Sequence, residues 1–302
     1  MTQREGGEER GAPKPWREKA APFLFRWVRW FPGVPVPLRL PFGGWWLARN
    51  DFVGAAMFHG GFENAESSVV ERLLGPGMTV VDIGAHHGYY TLLASRKVGP
   101  RGRVLAVEAS PREREKLNLH LRINRCANVQ VETRALAEAE GEAELYLVRG
   151  GQTGCNSLRK PDVSEPTEAV PVRTGRLDSV LREHKIETVD FVKLDVEGAE
   201  LSVLKGAPEL LRRKPRPIIL IEVQDIRTGP WGYPAQEIVR FLSRAGFRWF
   251  QVLPDRNLAP VDESREEYDA NFVAIPDERL DSLGSMIDGK GKAKDGSREV
   301  HS

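Results

Sequence analysis

Short apolar runs that carry a carboxylate at their ends recur along this chain and alternate with segments of helical periodicity. Four of these runs are residues 79–84, 103–108, 189–195 and 217–222. Strands that are apolar almost throughout are buried on both faces, as in parallel sheets covered by helices. Because the chain repeats this strand-helix-strand pattern, we predict an α/β fold with a doubly wound, mostly parallel sheet.

Further segments extend the pattern on either side of these runs. The predicted strands are 129–136, 143–148, 247–253 and 271–275, and the predicted helices are 88–98, 111–124, 198–213 and 235–245. Pro111 suits the first turn of its helix, where a missing N–H leaves no hydrogen bond unmade. The stretch 149–171 is rich in Gly and Pro and is predicted to be a loop.

The N-terminal part of the chain differs from this pattern. Residues 16–63 hold five of the seven tryptophans, mixed with Pro and Arg. We predict a cap segment on a main domain of residues 64–283, with a short helix at 23–31 and an extended stretch that turns at Gly43 and Gly44. A surface that faces a substrate or touches a membrane is the alternative, because Trp and Arg suit interfaces. The polar residues 1–15 and 284–302 are predicted to be disordered tails.

Charge, cysteine content and hydropathy indicate which partners and which cell compartment suit this chain. The net charge is +1, from 44 basic and 43 acidic residues, which argues against a nucleic-acid partner. Cys126 and Cys155 lack the spacing of a disulfide framework or a zinc site and fit a reducing cytoplasm. The N-terminus is too polar for a secretory signal, and no apolar stretch reaches the roughly 20 residues of a membrane span. We predict a cytoplasmic protein, and the sequence leaves its oligomeric state open.

The turn after the first strand indicates what kind of ligand binds there. It contains Asp82, Gly84, Ala85, His86 and Gly88. A dinucleotide-binding turn needs a second glycine two residues after the first, so that a pyrophosphate can approach the backbone. His86 occupies that place, which disfavours NAD and FAD. A ligand that carries a sulfonium and an amino acid tail needs no such opening.

Glu108 points to a nucleoside. It ends the second strand, 108 − 82 = 26 residues beyond Asp82. An acidic side chain at this position can accept hydrogen bonds from both hydroxyls of an unphosphorylated ribose. The turn and Glu108 together favour a ligand with a bare ribose and no diphosphate.

Three strings resemble those of a known family. Residues 81–91 (VDIGAHHGYYT), 108–111 (EASP) and 193–200 (KLDVEGAE) together resemble the FkbM family of S-adenosylmethionine-dependent methyltransferases. The similarity extends over about residues 60–276. The resemblance implies a Rossmann-like class I methyltransferase fold with a final antiparallel hairpin, and O-methylation of a hydroxyl on a sugar, glycan or other natural product. It also implies the cofactor-binding set Glu63, Asp82, Gly84, Ala85, His86, Gly88, Glu108, Ala135, Leu136 and Asp195.

Methyl transfer requires the protein to align the two reactants and to accept the proton of a hydroxyl. Lys193, Asp195 and Glu197 alternate at a strand end and therefore project to one face. We predict Asp195 or Glu197 as the base or the acceptor-positioning group, with Glu222, His86 and His87 as rivals. Alternatively, Asp195 only holds the cofactor, and Glu197 caps the helix that starts near Gly198.

A metal ion and a nucleic-acid substrate are both disfavoured. Asp195, Glu197 and Glu222 have the oxygen ligands that Mg²⁺ accepts, but no spacing demands an ion, so no metal is predicted. The Asp-Pro-Pro-Tyr or Asn-Pro-Pro-Tyr string of nucleic-acid amino methyltransferases is missing, with Val196 where its first proline would stand. The predicted acceptor is a small molecule or glycan. The alternatives are a cofactor-binding but catalytically silent interaction protein and a dinucleotide-dependent oxidoreductase.

Overall fold

The computed structural model describes residues 30, 34–58, 62–284, 286 and 287. The predicted tail 1–15 lies outside these residues, as do the predicted helix 23–31 except Trp30 and the predicted tail 284–302 except Gly284, Met286 and Ile287.

The described strands and helices alternate along the chain. The strands are β1 Val36–Arg39, β2 Trp45–Ala48, β3 Thr79–Ile83, β4 Arg103–Val107, β5 Val129–Glu132, β6 Ala135–Leu136, β7 Gly141–Val148, β8 Thr167–Gly175, β9 Phe191–Leu194, β10 Ile218–Gln224, β11 Phe247–Val252, β12 Leu258–Pro260 and β13 Asp269–Pro276. The helices are α1 Phe52–Phe58, α2 Asn64–Leu73, α3 Tyr89–Val98, α4 Pro111–Ile123, α5 Leu177–Glu183, α6 Glu200–Lys205, α7 Pro208–Arg212, α8 Asp225–Thr228 and α9 Gln236–Arg244.

Eight strands form the central sheet in the order β12-β11-β13-β10-β9-β3-β4-β5. The five strands β10, β9, β3, β4 and β5 run parallel to one another. β13 lies between β10 and β11 and is antiparallel to both. The predicted doubly wound sheet and its final antiparallel hairpin are therefore confirmed, and β3 lies where the strand order reverses.

The sheet is buried on both faces, which explains its nearly continuous apolar strands. Val80 packs into a cluster with Leu93 and Leu117 of α3 and α4. Its neighbour Val81 points to the opposite face and joins a second cluster with Val203 and Leu242 of α6 and α9. Burial on two faces is what separates a parallel sheet from a half-solvated antiparallel one.

The predicted strand 129–136 is wrong, because the chain turns within it. The side chain of Glu132 accepts hydrogen bonds from the backbone N–H groups of Thr133 and Arg134 at 2.8 and 2.9 Å. This local turn ends β5 and sends β6 into a separate sheet with β7 and β8. The predicted loop 149–171 is also wrong at its end, since β8 begins at Thr167 and pairs antiparallel with β7.

The predicted helix 198–213 is two helices. α6 ends at Lys205 and α7 begins at Pro208. Pro208 has no N–H to continue the first helix. Gly206 lies at the break because a side chain there would overlap the backbone of Ala137.

The N-terminal hairpin of β1 and β2 turns through Gly43 and Gly44, as the sequence predicts, with φ of 84° and 101°. Trp46 is 2% exposed and stacks on His120 of α4, with ring centroids 4.0 Å apart. Asn124 accepts a hydrogen bond from the backbone N–H of Trp45 and donates one to its carbonyl. The hairpin is thus attached to α4, while the boundary of the cap at residue 63 stays a prediction.

Candidate active site

A cavity lies at the carboxyl ends of β3, β4 and β9, where ligands of doubly wound sheets bind. Among the predicted cofactor residues, its walls include Gly84, His86, Glu108, Ala135, Leu136 and Asp195. Glu63, Asp82, Ala85 and Gly88 lie outside these walls. Of the predicted catalytic residues, Asp195 and Glu197 line the cavity and Glu222 lies behind them.

Gly84 forms the turn between β3 and the cavity. Its φ is 81°, and the N–H groups of Gly84 and Ala85 both donate to the carbonyl of Val107, at 3.0 Å each. A Cβ atom on Gly84 would overlap the carbonyl oxygen of Asp195. The turn after β3 and the end of β9 are therefore in direct contact, and only glycine fits between them.

Gly88 allows close packing of Leu117 beneath this turn. Its φ is 92°, and a Cβ atom would stand 2.5 Å from the Cδ1 atom of Leu117. Gly88 directly precedes α3, so the missing side chain lets α4 approach the start of that helix. Asp82 is buried nearby and accepts a hydrogen bond from the Thr91 hydroxyl at 2.5 Å. Burial raises the pKa of Asp82 to about 6, although the bond from Thr91 opposes this shift.

His86 occupies the place that a second glycine holds in dinucleotide-binding turns. Its backbone is left-handed, with φ of 49°, and its N–H donates to Oε2 of Glu108 at 2.7 Å. The ring Nε2 lies 3.0 Å from the hydroxyl of Thr153. Burial and the neighbouring His87 hold the pKa of His86 well below its usual value, so the ring is neutral at neutral pH.

Glu108 lies between the turn after β3 and helix α4. Besides the bond from His86, its Oε1 accepts the N–H of Ser110 at 2.8 Å. The side chain is buried, and burial raises its pKa to about 7 against the effect of these two bonds. Each carboxylate oxygen has two lone pairs, so both can accept a further hydrogen bond from a ligand in the cavity.

His87 is buried away from the cavity walls. Its Nε2 lies 2.5 Å from Oε2 of Glu113, and the ammonium of Lys116 lies 3.0 Å from the same nitrogen. Its ring stacks on that of His86 at 3.7 Å. His87 therefore supports the ring of His86 from behind, which argues against its role as the base.

A buried lysine faces the carboxylates at the rim. Lys193 is 2% exposed and donates to Oδ2 of Asp195 at 2.9 Å, with its ammonium 5.4 Å from the centre of the Tyr90 ring. Burial opposes its charge, but the carboxylates of Asp195 and Glu63 outweigh burial and raise the pKa of Lys193. Glu63 in turn accepts the Tyr90 hydroxyl at 2.5 Å. Lys193 thus remains a cation beside Asp195.

The predicted capping role of Glu197 is wrong. Helix α6 begins at Glu200, and it is Glu200 whose Oε1 accepts the N–H groups of Val196 and Gly198 at 3.0 and 3.3 Å. Glu197 has a left-handed φ of 55° and forms an ion pair with Arg227, whose Nε lies 2.7 Å from its Oε2. Burial and the nearby Asp195 raise the pKa of Glu197 to about 8.

Glu222 completes a cluster of three carboxylates. It lies on β10, next to β9, and ligand atoms of Asp195, Glu197 and Glu222 all lie within 4.8 Å of one another. Burial, Asp195 and Glu197 raise the pKa of Glu222 well above its usual value. The cluster therefore combines two carboxyl groups with raised pKa values, Glu197 and Glu222, with Asp195, which pairs with the cation Lys193.

Several residues of the site carry no specific signal in the sequence. Asn156, Ser157 and Leu158 line the cavity from the loop after β7, and Ser157 donates to the carbonyl of Glu197 at 2.7 Å. Arg227 lies in the short α8, in a segment without a periodic pattern. These positions are set by tertiary packing, because their side chains reach residues 40 and 30 positions away in the chain.

The sheet order, the glycine turn and the carboxylate-bearing strand ends are those of a Rossmann-like methyltransferase fold. The family model described as the methyltransferase FkbM domain matches residues 82–249, and the chain belongs to this family. The resemblance seen in the sequence is thereby confirmed, and S-adenosylmethionine is the cofactor.

Relatives and solved structures include proteins of several kinds. The AMB antimetabolite synthetase AmbE of Pseudomonas aeruginosa is 31% identical over 252 residues, which are 72% of this chain and 11% of that protein. Methyltransferase sdnD of Sordaria araneosa is 31% identical over 43% of this chain and 60% of its own length. The O-methyltransferase TomG of Streptomyces achromogenes superposes with a TM-score of 0.41 and 15% identity, over 71% of this chain and 79% of that one. The chain thus spans only part of the two curated relatives.

None of the helices in the part of the chain that the structure describes combines the length and the hydropathy of a membrane span.

Proposed function

We propose that this protein transfers a methyl group to a hydroxyl of a sugar, glycan or other small-molecule natural product. The supporting observation is Asp195, a carboxylate on the cavity wall that is paired with the buried cation Lys193. A carboxylate that pairs with a cation at the edge of a cofactor cavity is suited to accept a hydroxyl proton or to hold the hydroxyl in place.

The residues present fit S-adenosylmethionine. Gly84 lets the turn after β3 lie directly against the backbone of Asp195, and His86 lines the cavity at the position where a pyrophosphate would approach the turn. Glu108 would hold the ribose hydroxyls, and Ala135 and Leu136 would flank the adenine. When bound, the cofactor supplies a methyl group that is already activated by the sulfonium, so its leaving group needs no acid.

The remaining tasks fall to this chain's own side chains. Asp195 would accept the proton of the acceptor hydroxyl, and Lys193 would hold the carboxylate of Asp195 in position. Glu197, whose pKa burial and Asp195 raise, would position the acceptor by hydrogen bonding. The loop that contributes Asn156 and Ser157 to the wall would exclude water from the cavity.

Two features support the small-molecule acceptor, and a third supports the proposed cytoplasmic location. The net charge of +1 gives no strong positive potential that would attract a polyanion such as a nucleic acid. The relative AmbE is named for the synthesis of an antimetabolite, which is a natural product. Cys126 and Cys155 are both free, which supports action in the reducing cytoplasm.

The test has two stages. First, S-adenosylhomocysteine should raise the melting temperature of the protein and NAD should not, because only a ligand without a diphosphate fits beside His86. Second, a panel of sugars and hydroxylated metabolites with radiolabelled methyl donor should yield a methyl ether. Stabilisation by NAD alone would refute the proposal. Stabilisation by S-adenosylhomocysteine without any methylated product across the panel would favour a silent cofactor-binding protein.

A further inference from the structure

Unsatisfied polar atoms are concentrated at one place in this protein. Among residues 30, 34–58, 62–284, 286 and 287, the buried side-chain atoms without a hydrogen bond are Oε2 of Glu197, Oε2 of Glu222, Nε of Arg227 and Nε1 of Trp231. Buried polar atoms without a partner are rare in folded proteins, and each one calls for a physical reason. Two of these atoms are oxygens of Glu197 and Glu222, and Nε of Arg227 lies 2.7 Å from the one on Glu197, so the reason is local.

The carboxylates outnumber the cations that touch them. Lys193 pairs with Asp195, and Arg227 pairs with Glu197 by charge, without a hydrogen bond between Nε and Oε2. Glu222 has no ion pair among the described residues. With all three carboxylates ionised, three negative charges face two positive ones, and the excess charge lies at Glu222.

We propose that Asp195, Glu197 and Glu222 bind a divalent cation of the Mg²⁺ or Mn²⁺ type. Carboxylate oxygens are the ligands that these hard cations prefer. The three residues come from the ends of the neighbouring strands β9 and β10, and their ligand atoms lie within 4.8 Å of one another. The spacing of these residues in the sequence does not predict an ion, and the sheet is what brings them together.

The hydrogen bonds at the cluster leave oxygens for an ion. Lys193 donates to Oδ2 of Asp195, and Oδ1 remains for another partner. Oε2 of Glu222 is shielded from solvent and has no partner, whereas Oε2 of Glu197 lies 2.7 Å from Nε of Arg227. A bound cation would satisfy Oε2 of Glu222 and remove the excess charge, whereas a proton on Glu222 would satisfy that oxygen without an ion.

The position of the site suggests its use. Asp195 and Glu197 line the cavity, so an ion between them and Glu222 would lie next to the place of the acceptor. A cation there would hold an acceptor oxygen and favour loss of its proton. This use rests on the proposed methyl transfer, but binding of the ion does not.

The experiment titrates Mn²⁺ into the full chain at pH 8.5 and measures free Mn²⁺ by electron paramagnetic resonance. We expect one bound ion per chain that Mg²⁺ displaces. Glu222→Gln keeps the shape and removes the charge, and should weaken Mn²⁺ binding at least about tenfold. The control is Glu266→Gln, an exposed carboxylate before β13, which should leave Mn²⁺ affinity unchanged.

Absence of bound Mn²⁺, or equal affinity in Glu222→Gln and the wild-type chain, would overturn the proposal. If Glu222→Gln fails to fold by circular dichroism, Asp195→Asn takes its place with the same expected loss. The outcome is separate from that of the proposed function. Bound Mn²⁺ without any methylated product would refute only the methyl transfer, and methyl transfer that survives chelation without any Mn²⁺ binding would refute only the metal site.

Discussion

A Cβ atom on Gly84 would overlap the carbonyl oxygen of Asp195 and stand 2.9 Å from its carbonyl carbon. The two residues are 111 positions apart, and the backbone N–H of Asp195 donates to the carbonyl of Ile83 at 3.0 Å. The glycine turn and the acidic string are therefore one structural unit. A substitution in the turn should therefore displace Asp195, and a substitution at Asp195 should displace the turn.

Gly84→Ala should destabilise the protein by about 2–4 kcal/mol, because it adds overlap with a backbone to the strain of a left-handed residue. Gly77 is the matched control. Its φ is 87°, but nothing lies within 4 Å of its Cβ position, so Gly77→Ala should cost only about 1 kcal/mol. Urea unfolding of both variants measures the difference. Equal losses would show that the contact between Gly84 and Asp195 carries no stability.

Glu108→Gln should weaken binding of S-adenosylhomocysteine by about 10- to 100-fold, a loss of about 1.5–3 kcal/mol. In the wild-type protein the backbone N–H groups of His86 and Ser110 each donate to one carboxylate oxygen of Glu108. The amide of glutamine has one oxygen and one NH₂ group, so its NH₂ group would face one of these two donors. It would also lose one acceptor for the ribose. Isothermal titration calorimetry gives the affinity, with the exposed Glu115→Gln as control. An affinity within twofold of wild type would remove Glu108 from the nucleoside site.

Glu200→Gln should flatten the pH dependence of stability. Glu200 is 1% exposed, and burial raises its pKa from 4.5 to about 7. Between these values the folded protein retains a proton that the unfolded chain releases, so the free energy of unfolding falls as pH rises through this window. The fall due to Glu200 amounts to about 3 kcal/mol.

Urea unfolding at pH 5, 6, 7 and 8 tests this prediction. Glutamine at position 200 keeps the Oε1 acceptor for the N–H groups of Val196 and Gly198 but does not titrate. Other buried acids contribute to the total slope, so the difference between the two proteins isolates Glu200. Identical slopes would show that Glu200 has an ordinary pKa in the folded state.

Two adjacent tryptophans of the N-terminal hairpin differ in burial and should differ in their contribution to stability. Trp46 is 2% exposed and Trp45 is 45% exposed. Trp46→Ala should cost about 3–5 kcal/mol, because it empties a packed site against His120. Trp45→Ala should cost less than about 1 kcal/mol. Similar small losses in both variants, measured by urea unfolding, would show that the hairpin adds little to the stability of the main domain.

Much of the fold follows from local pattern. Residues 79–84 and 103–108 are apolar nearly throughout because both faces of the sheet are covered, so their sequence alone indicates β3 and β4. Because the carboxyl ends of parallel strands meet at one edge of the sheet, the sequence alone predicts that Glu108 and Asp195 lie at one site.

Features that depend on a single side-chain contact could not be predicted in this way. The break after β5 depends on Glu132 turning its side chain onto its own backbone, and the apolar pattern continues across it. Glu197 has the position of a capping residue, yet its left-handed backbone turns it toward Arg227 while Glu200 takes the backbone N–H groups. The second of these choices is made by tertiary packing, because Arg227 lies 30 positions from Glu197 in the chain.

Asp195→Asn separates the two roles that Asp195 can have. If it accepts the proton of the acceptor hydroxyl, kcat should fall by about 10²- to 10⁴-fold while the affinity for S-adenosylhomocysteine changes little. If it only holds the cofactor, the affinity should fall and kcat at saturating cofactor should stay close to that of wild type. Lys193 loses its charged partner in this variant, so urea unfolding must accompany the kinetics. The exposed Asp255→Asn is the control, and unchanged kcat and affinity in Asp195→Asn would exclude both roles.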